Sequence, residues 1–445
     1  MNNIKIYFSV LLIIFLFFRS PEAFCQANNI NADNQNDTLS LNEVIIKVIQ
    51  NHPSVKEIEE TINEAKVKTD LAKTGYYPNI DITANYTRLG PVSSITFPGF
   101  GSFDLFPQNN YNTSLNFSES IFDFGKTSRN VDYQNENIML AKQRLEQVKQ
   151  SLALTTINCY YAIIYLQEAI KIKEEQLYDL KQHLDFVTKK KETGSAIRYE
   201  ILSTQVRISN IESQKTDIES LLKIQQSSLN SLLGRPVYAS NNIQNDTDAA
   251  FIGVPNDSLI SFAAENRIEM KIAMEKSTLE ELNYKVVQTE NYPKVNIFAS
   301  GGWKNGLFPD MLRWTANFAA GFEVILPVLD FGRNKNHLLL SRSRLIENNY
   351  QIEFQKRKIE NEVVENLENL KTSLKKLDQF RLQLSQAQEA YSLAQVNFKN
   401  GAITNLDMLD ASTNVSESRL MVLKAKMDYI LNTYKLKSAV GKRLY

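Results

Sequence analysis

The stretch Ile121-Phe122-Asp123-Phe124-Gly125 returns 207 residues further along the chain as Val328-Leu329-Asp330-Phe331-Gly332. Each copy of the stretch follows a segment of alternating apolar and polar residues and precedes a long helical pattern. Self-similarity at a fixed spacing is the signature of a repeated architecture. Three further pairs obey the same offset: Thr193-Gly194 with Asn400-Gly401, Glu200-Ile201-Leu202 with Asp407-Met408-Leu409, and Leu233-Gly234 with Val440-Gly441.

We therefore interpret the chain as two copies of one structural unit. Each copy is predicted to begin with a helix, at about 40–75 and 258–290, that ends at a Tyr-Pro pair because proline cannot continue a helix. The segments between and before the copies are rich in Asn and Asp, a composition typical of loops. The predicted boundaries are a signal peptide at 1–25, a flexible lead at 26–39, repeat 1 at 40–234, a connection at 235–256, repeat 2 at 257–441 and a tail at 442–445.

After each Tyr-Pro pair the hydrophobic pattern changes to a period of two residues, which indicates β-strands. Ile80 and Ile82, for example, alternate with Asp81 and Thr83. The length and amphipathic pattern of these segments suit transmembrane strands. Because four strands cannot close a barrel and open edges are not tolerated in lipid, several chains would have to share one barrel. The strands are predicted in two hairpins, at about 78–90, 110–121, 293–304 and 312–326.

Long helices are predicted after each hairpin, at 126–192 and 331–400, with Asp123 and Asp330 as their caps. Apolar residues recur every seven positions and then shift by four, in the same way in both copies. Heptads with such a stutter indicate coiled-coil packing with local unwinding. The first long helix would extend about 100 Å, as far as two shorter helices stacked end to end. The sequence thus predicts an antiparallel wall of coiled helices.

The N-terminus has the organisation of a signal peptide, with a basic residue before an apolar stretch from Ile6 to Phe18 that is too short to span a membrane comfortably. Ala23 and Cys25 supply small residues for cleavage before Gln26. Lipidation of Cys25 is the alternative, which the bulky Phe24 disfavours. Export is predicted by both interpretations.

The composition argues against several other classes of protein. The 50 basic side chains balance the 50 acidic ones, so no global field favours nucleic acid. The mean hydropathy of −0.30 is too low for a helical membrane protein. His52, His183 and His337 are scattered, and no cluster has the spacing of metal ligands. An enzyme built on a helical frame would need a set of polar residues that converge on one site, and the sequence shows no such set. We therefore expect no enzyme, no cofactor and no metal site.

The stretch Ser120-Ile121-Phe122-Asp123 and the segment from Gly401 to Gly441 resemble the TolC family of outer-membrane factors. The second segment contains Asp407-Met408-Leu409-Asp410-Ala411, and the likeness extends through nearly all of 40–441. The resemblance implies a mixed α and β membrane protein. In it, a homotrimer forms a transmembrane β-barrel from four strands per chain, joined to a long antiparallel coiled-coil α-helical barrel.

The resemblance also implies a location and a function. The protein is expected in the outer membrane of a Gram-negative bacterium, extending into the periplasm, as the exit duct of a tripartite efflux system for drugs, toxic compounds or metals. Its implied partners are outer-membrane lipid, a periplasmic adaptor (membrane fusion) protein, and an inner-membrane pump of resistance-nodulation-division, ABC or major-facilitator type. Type I protein secretion is the alternative within the family, and a soluble periplasmic coiled-coil scaffold is the alternative outside it.

The family resemblance assigns a periplasmic gate to Asp407 and Asp410, with Glu200 at the equivalent place in repeat 1. Taken alone, two acidic residues in a first helical turn favour a helix-dipole role. In well-known members a tyrosine and an arginine hold the gate closed. They fall at Phe398 and Ile403 here, so a different closed-state contact is expected.

Two further pairs of residues complete the predicted sites. Gly194 and Gly401, at the predicted helix tips, correspond to the region where family members contact the adaptor. Trp303 and Trp314 flank the loop of the second hairpin, and aromatic residues at strand ends suit a membrane interface. Ordinary packing within a soluble sheet is the alternative for the tryptophans.

Overall fold

The computed structural model describes residues 38–99, 101–239, 242–245 and 259–445, without the side chains of Phe97 and Phe103. The predicted signal peptide, Cys25, nearly all of the lead and most of the connection lie outside the described residues. The described chain is mainly helical with a small β-sheet. In chain order its elements are α1 (Leu41–Asn51), α2 (Pro53–Lys73), β1 (Asn79–Arg88), β2 (Ser94–Phe97), β3 (Gly101–Asp104), β4 (Asn109–Phe122), α3 (Lys126–Glu192), α4 (Arg198–Leu233), α5 (Leu259–Asn266), α6 (Ile268–Gln288), β5 (Lys294–Lys304), β6 (Thr315–Ile325), α7 (Arg333–Lys399) and α8 (Asn405–Ala439).

The helix predicted before each hairpin is in fact two helices, so that prediction was wrong. His52 is extended, with ψ 131°, and Pro53 is the first residue of α2, where its missing N–H costs nothing. In repeat 2 the break falls at Arg267, with ψ 130°. No proline marks this position, but the Arg267 guanidinium donates to Ala439 O at 3.1 Å and pairs with Glu362 of α7. Tertiary contacts, which a local pattern does not show, accompany this second break.

The two long helices begin at an unusual backbone conformation. Their N-cap residues are Gly125 and Gly332, not the predicted aspartates. Asp123 lies two residues earlier and accepts hydrogen bonds from Gly125 N at 3.0 Å and Thr127 N at 2.7 Å. It therefore still satisfies free amides of the first turn. Phe124, between Asp123 and the cap, has φ 54°, which is uncommon for a bulky residue.

The helices pack side by side in a row in which α3 is central. Near the strands the row is α2–α3–α6–α7, and towards the other end it is α4–α3–α8–α7. Both long helices span 67 residues. The largest apolar core lies where α1 covers α3 and α4, around Val44, Ile157 and Leu229. None of the helices in the described part of the chain is both long and apolar enough to cross a membrane.

The sheet has the strand order β1-β4-β5-β6 and is antiparallel throughout. Its register aligns Ile82 with Leu115, Leu115 with Gly301, and Gly301 with Phe318. Because side chains alternate across a strand, this register collects most apolar residues of the four strands on one face, with Phe298 on the other. The opposite face carries a polar network in which Thr83 Oγ1 lies 3.0 Å from Ser114 Oγ.

The first hairpin loop contains an additional short hairpin that the sequence pattern did not reveal. Strand β2 pairs antiparallel with β3 in a separate two-stranded sheet. Each strand is only four residues long, too short for a clear alternation. Gly99 and Gly101, with φ 89° and 90°, flank the turn and adopt a conformation that favours glycine.

Candidate functional site

Helices α3 and α4 form one helical hairpin, and α7 and α8 form the other. The tips of the two helical hairpins have the same backbone geometry. Gly194 and Gly401 both have positive φ, 78° and 74°, at the ends of α3 and α7. Ser195 N donates to Lys190 O, and Ala402 N donates to Asn397 O, at 2.8 and 2.9 Å. This bonding closes a helix end with glycine in the left-handed region. The structure thus places both predicted tip glycines where the chain reverses.

Asp407 forms a capping box at the start of α8. Its Oδ2 accepts hydrogen bonds from Thr404 N at 2.9 Å and Thr404 Oγ1 at 2.6 Å, while Asp407 N donates to Thr404 Oγ1 at 3.2 Å. The hydroxyl and amide of Thr404 lower the pKa of Asp407 below its ordinary value. The carboxylate is fully exposed to solvent. Within the single chain, therefore, Asp407 acts as a helix cap that also presents a charge to water.

Asp410 forms an ion pair with an arginine that the sequence analysis did not predict. Arg207 Nη2, on α4, lies 2.6 Å from Asp410 Oδ1, on α8. Arg207 has no counterpart in repeat 2, where the 207-residue offset leads to Asn414. The repeat therefore gave no signal for the pair, which forms only where α4 and α8 approach each other across α3 near the tips.

Asn405 is a buried polar link between the two helical hairpins. Its Nδ2 donates to Glu200 O at 3.3 Å and to Ser203 Oγ at 3.2 Å, both on α4. Its Oδ1 lies 2.7 Å from His183 Nε2, on α3. Burial lowers the pKa of His183, against the opposing effects of Asn405 and of the charge of Glu200. The predicted gate residue Glu200 thus takes part through its backbone carbonyl, which bonds the same Asn405 side chain as His183.

Phe398 lies in an apolar cluster near the tip. It is buried with Val187, Ala394 and Met408, and Ile403 packs against this cluster. The ammonium group of Lys190 lies 4.8 Å from the centre of the Phe398 ring, a cation–π contact. The same Nζ lies 3.4 Å from Phe398 O. Phe398 and Ile403 are therefore held by packing contacts near the tip.

The contacts between the two helical hairpins in this half of the chain are polar as well as apolar. Besides Arg207–Asp410 and His183–Asn405, Arg419 Nη1 on α8 lies 2.5 Å from Glu175 Oε2 on α3. Ser416 Oγ donates to the buried Gln176 Oε1 at 2.7 Å. Apolar side chains such as Leu177 and Ile208 form the contact between α3 and α4, and Leu409 of α8 belongs to the same cluster. The two coiled pairs, α3–α4 and α7–α8, thus meet along a seam that combines these polar contacts with the apolar clusters around Leu409 and Phe398.

The aromatic residues of the sheet gather towards the hairpin loops. Trp314 stacks on Tyr111, with ring centres 6.1 Å apart, and Tyr111 contacts Tyr86 at 5.1 Å. Trp303 and Trp314 are both about half exposed. The two predicted interface residues therefore lie at one end of the sheet with their rings accessible. Among the described residues, no group of three or more His, Cys, Asp or Glu side chains is placed to hold a metal ion.

Comparison with known proteins agrees with this geometry. A profile of the family described as "Outer membrane efflux protein" matches residues 44–235 and 259–442. The chain belongs to the outer membrane efflux protein family. As a member of that family it is an outer-membrane efflux channel of the TolC type, located in the outer membrane of a Gram-negative bacterium and extending into the periplasm.

Individual members of the outer membrane efflux protein family resemble the chain over most of its length. It is 19% identical to the outer membrane protein TolC of Escherichia coli K12, with 91% of this chain and 83% of TolC covered. It is 22% identical to the cation efflux system protein CusC of Escherichia coli O157:H7, with 92% and 86% covered. The crystal structure of VceC from Vibrio cholerae superposes with a TM-score of 0.76 at 16% identity, covering 91% and 97% of the two chains.

Proposed function

We propose that three copies of this chain assemble into a continuous duct, and that the duct is the exit of a tripartite pump for small molecules. In this assembly the sheets form one barrel of twelve strands, four from each chain, and the helices form a tube in the periplasm. A periplasmic adaptor joins the tube to an inner-membrane pump, which supplies the energy. Type I protein secretion would use the same duct with a different pump and cargo.

The observation that carries the proposal is the face segregation of the four-stranded sheet. One face carries most of the apolar side chains of the four strands, as lipid requires, and the opposite face is mainly polar, as a water-filled lumen requires. In the described chain, β1 and β6 each pair with one strand only. A sheet edge in lipid leaves backbone groups without partners, so further copies are needed to supply them.

The two ends of the helical row also support assembly. On α7, Tyr350, Phe354 and Leu382 expose more than 60% of their surface. At the opposite end of the row, Val67 of α2 and Val206 of α4 are exposed to a similar extent. Contact between the α7 end of one copy and the opposite end of the next is a head-to-tail interface. Such an interface generates a closed ring when the rotation that relates neighbouring copies closes. Apolar side chains at both ends would then leave water.

In this assembly the predicted sites take the following roles. Asp407, Asp410 and Glu200 lie close to the hairpin tips and would form the periplasmic gate of the duct. Gly194 and Gly401 shape the tips that an adaptor contacts. Trp303 and Trp314 would mark one membrane–water interface.

The experiment that tests this function is reconstitution into planar lipid bilayers. Protein extracted from outer membranes in mild detergent should produce long-lived conductance steps, because each inserted ring adds one water-filled path. The same protein dissociated by heat into single chains is the control and should produce none. Conductance that survives dissociation, or that the intact assembly lacks, contradicts the proposed duct.

A further inference from the structure

The ends of the two repeats carry similar pentapeptides that have very different surroundings. Gly234-Arg235-Pro236-Val237-Tyr238 follows α4, and Gly441-Lys442-Arg443-Leu444-Tyr445 follows α8, at the 207-residue offset of the repeat. Gly234 and Gly441 both have positive φ, 69° and 81°. The two segments therefore leave their helices in the same way, and their partners can be compared position by position.

The second pentapeptide docks within the chain, on the long helix of repeat 1. Tyr445 OH donates to Glu146 Oε2 at 2.8 Å, and Gln150 Nε2 donates to Lys442 O at 2.7 Å. Leu444 is only 7% exposed and belongs to the same core cluster as Ile157. The segment after α8 thus fastens repeat 2 to α3 of repeat 1.

The first pentapeptide lacks such a covering. The Tyr238 side chain is 97% exposed, and Val237, the counterpart of the buried Leu444, is 46% exposed. An exposed Val-Tyr pair at the end of an ordered helix is costly in water, since each such side chain would gain by burial. Tyr238 lies at the α4 end of the helical row, and α7 is at the opposite end.

The surface equivalent to the docking site of Tyr445 is present on α7 and is open. The offset carries Glu146 onto Glu353, Gln150 onto Arg357, and Ile157 onto Val364. Ile157 is fully buried, whereas Val364 is 47% exposed. Glu353 and Arg357 are also exposed and pair with each other at 2.5 Å. The acceptor for a tyrosine hydroxyl and an apolar seat for Val237 therefore lie at matching positions.

We propose that the segment Gly234–Tyr238 of one copy docks on α7 of a second copy, and so repeats between chains the contact that Gly441–Tyr445 makes within one chain. Tyr238 OH donates to Glu353 of the neighbouring copy, and Val237 covers Val364. Because α4 and α7 are the two ends of the row, the contact is head to tail and adds copies in one rotational sense. The inference rests on the proposed assembly and names the residues that join its subunits.

Two differences from the contact within the chain shape this interface. Gln150 also accepts a hydrogen bond from Leu444 N at 3.3 Å, which an arginine at its counterpart Arg357 is unable to do. Arg443 pairs with Glu146 at 3.1 Å, but its counterpart is Pro236, which has no charge. The contact between chains therefore lacks these two interactions. It depends more on the Tyr238–Glu353 bond and on apolar burial than the contact of Gly441–Tyr445 within the chain does.

The test is photo-crosslinking between two distinguishable copies in intact cells. One copy carries p-benzoylphenylalanine in place of Tyr238, and the other carries an affinity tag. Irradiation should join the two, and mass spectrometry should locate the bond in the α7 peptide around Glu353. The same photoreactive residue in place of Tyr199, an exposed tyrosine near the tip of α4, is the control and should not label that peptide.

A second measurement is a double-mutant cycle on the heat-induced dissociation of the assembly. Tyr238→Phe and Glu353→Ala should each lower the dissociation temperature, and the double variant should lower it no further than the more harmful single one. Additive effects, together with no bond to the α7 peptide in an intact trimer, overturn the docking but leave the proposed duct standing. A wild-type protein that remains a single chain in mild detergent overturns both.

Discussion

Arg207 of α4 and Asp410 of α8 form an ion pair with Nη2 and Oδ1 2.6 Å apart, close to the tips of both helical hairpins. The pair joins the two coiled units of the chain across a seam that also contains the Arg419–Glu175 ion pair and the apolar cluster around Phe398. Asp410 is one of the two aspartates that family resemblance assigns to the gate. Arg207 of the same chain therefore pairs with one of the carboxylates predicted to form the gate.

Removal of this pair should open the gate more readily. In Arg207→Gln, Asp410 loses its charged partner, so α8 is held to α4 less strongly, by the Asn405 hydrogen bonds, and the conductance in planar bilayers should rise. Both side chains are partly exposed, so the free energy of unfolding should fall by no more than about 1 kcal/mol. Lys181→Gln is the control, because it removes a pair with Glu212 inside one hairpin. Equal conductance in both variants would rule out the seam as the moving interface.

The start of α8 should depend on its capping box. Thr404→Ala removes the hydroxyl that bonds Asp407 and should cost about 1 kcal/mol, seen as a lower unfolding midpoint and faster amide exchange in the first turn of α8. Thr413→Ala is the control, since that hydroxyl only bonds Leu409 O inside the helix. An unchanged exchange rate in Thr404→Ala would show that the capping box contributes nothing.

The same cap predicts a pH dependence with a definite sign. The folded pKa of Asp407 lies below its ordinary value of 3.8, because the bonds from Thr404 favour the carboxylate. The stabilisation is therefore fully present above that ordinary value and is lost as the pH falls through the lower, folded value. Amide exchange in the first turn of α8, corrected for its intrinsic pH dependence, should accelerate only in that acidic range.

Much of the fold could be predicted because it depends on local patterns. The alternation around Ile82 and the proline that follows each first helical segment mark where strands begin, and Gly194 and Gly401 mark where helices reverse. The structure has strands and turns close to those positions. The break at Arg267 was missed because distant contacts with Ala439 and Glu362 accompany it, and a periodic pattern contains no such information.

The candidate site was less accessible to sequence reasoning. Asp407 and Asp410 were identified by resemblance, but their bonding partners were not. The partner of Asp407 is Thr404, three residues earlier in the chain, whereas the partner of Asp410 is Arg207 on a distant helix. The Thr404-x-x-Asp407 spacing is a capping-box signal and could have been recognised. Arg207 and His183 carried no such signal, because only the packing of α3 and α4 against α8 brings them to Asp410 and Asn405.

The aspartates should make the assembled duct selective for cations. Three chains would place six carboxylates from Asp407 and Asp410 around one opening, where they attract cations. We expect block by multivalent cations added from the periplasmic side. Asp407→Asn with Asp410→Asn should abolish the block while trimer yield is kept, since asparagine still offers an acceptor at the cap. Asp185→Asn, an exposed aspartate near the first tip, is the control; block that persists in the double variant excludes the pair from the gate.

The topology predicts which loops are accessible from outside the cell. A small epitope inserted near Ser102, in the short hairpin between β1 and β4, should bind antibody on intact cells. An epitope inserted at 242–245, in the connection between the repeats, should bind only after the outer membrane is permeabilised. The reverse pattern would contradict the orientation of the sheet relative to the helices.

The most direct test of the account is the mass of the protein extracted from outer membranes in mild detergent. β1 and β6 each have an edge that no strand of the described chain covers, and the apolar face of the sheet needs lipid or detergent. Native mass spectrometry should therefore give three times the mass of the mature chain. A single chain that keeps its β-structure in detergent would contradict the shared barrel.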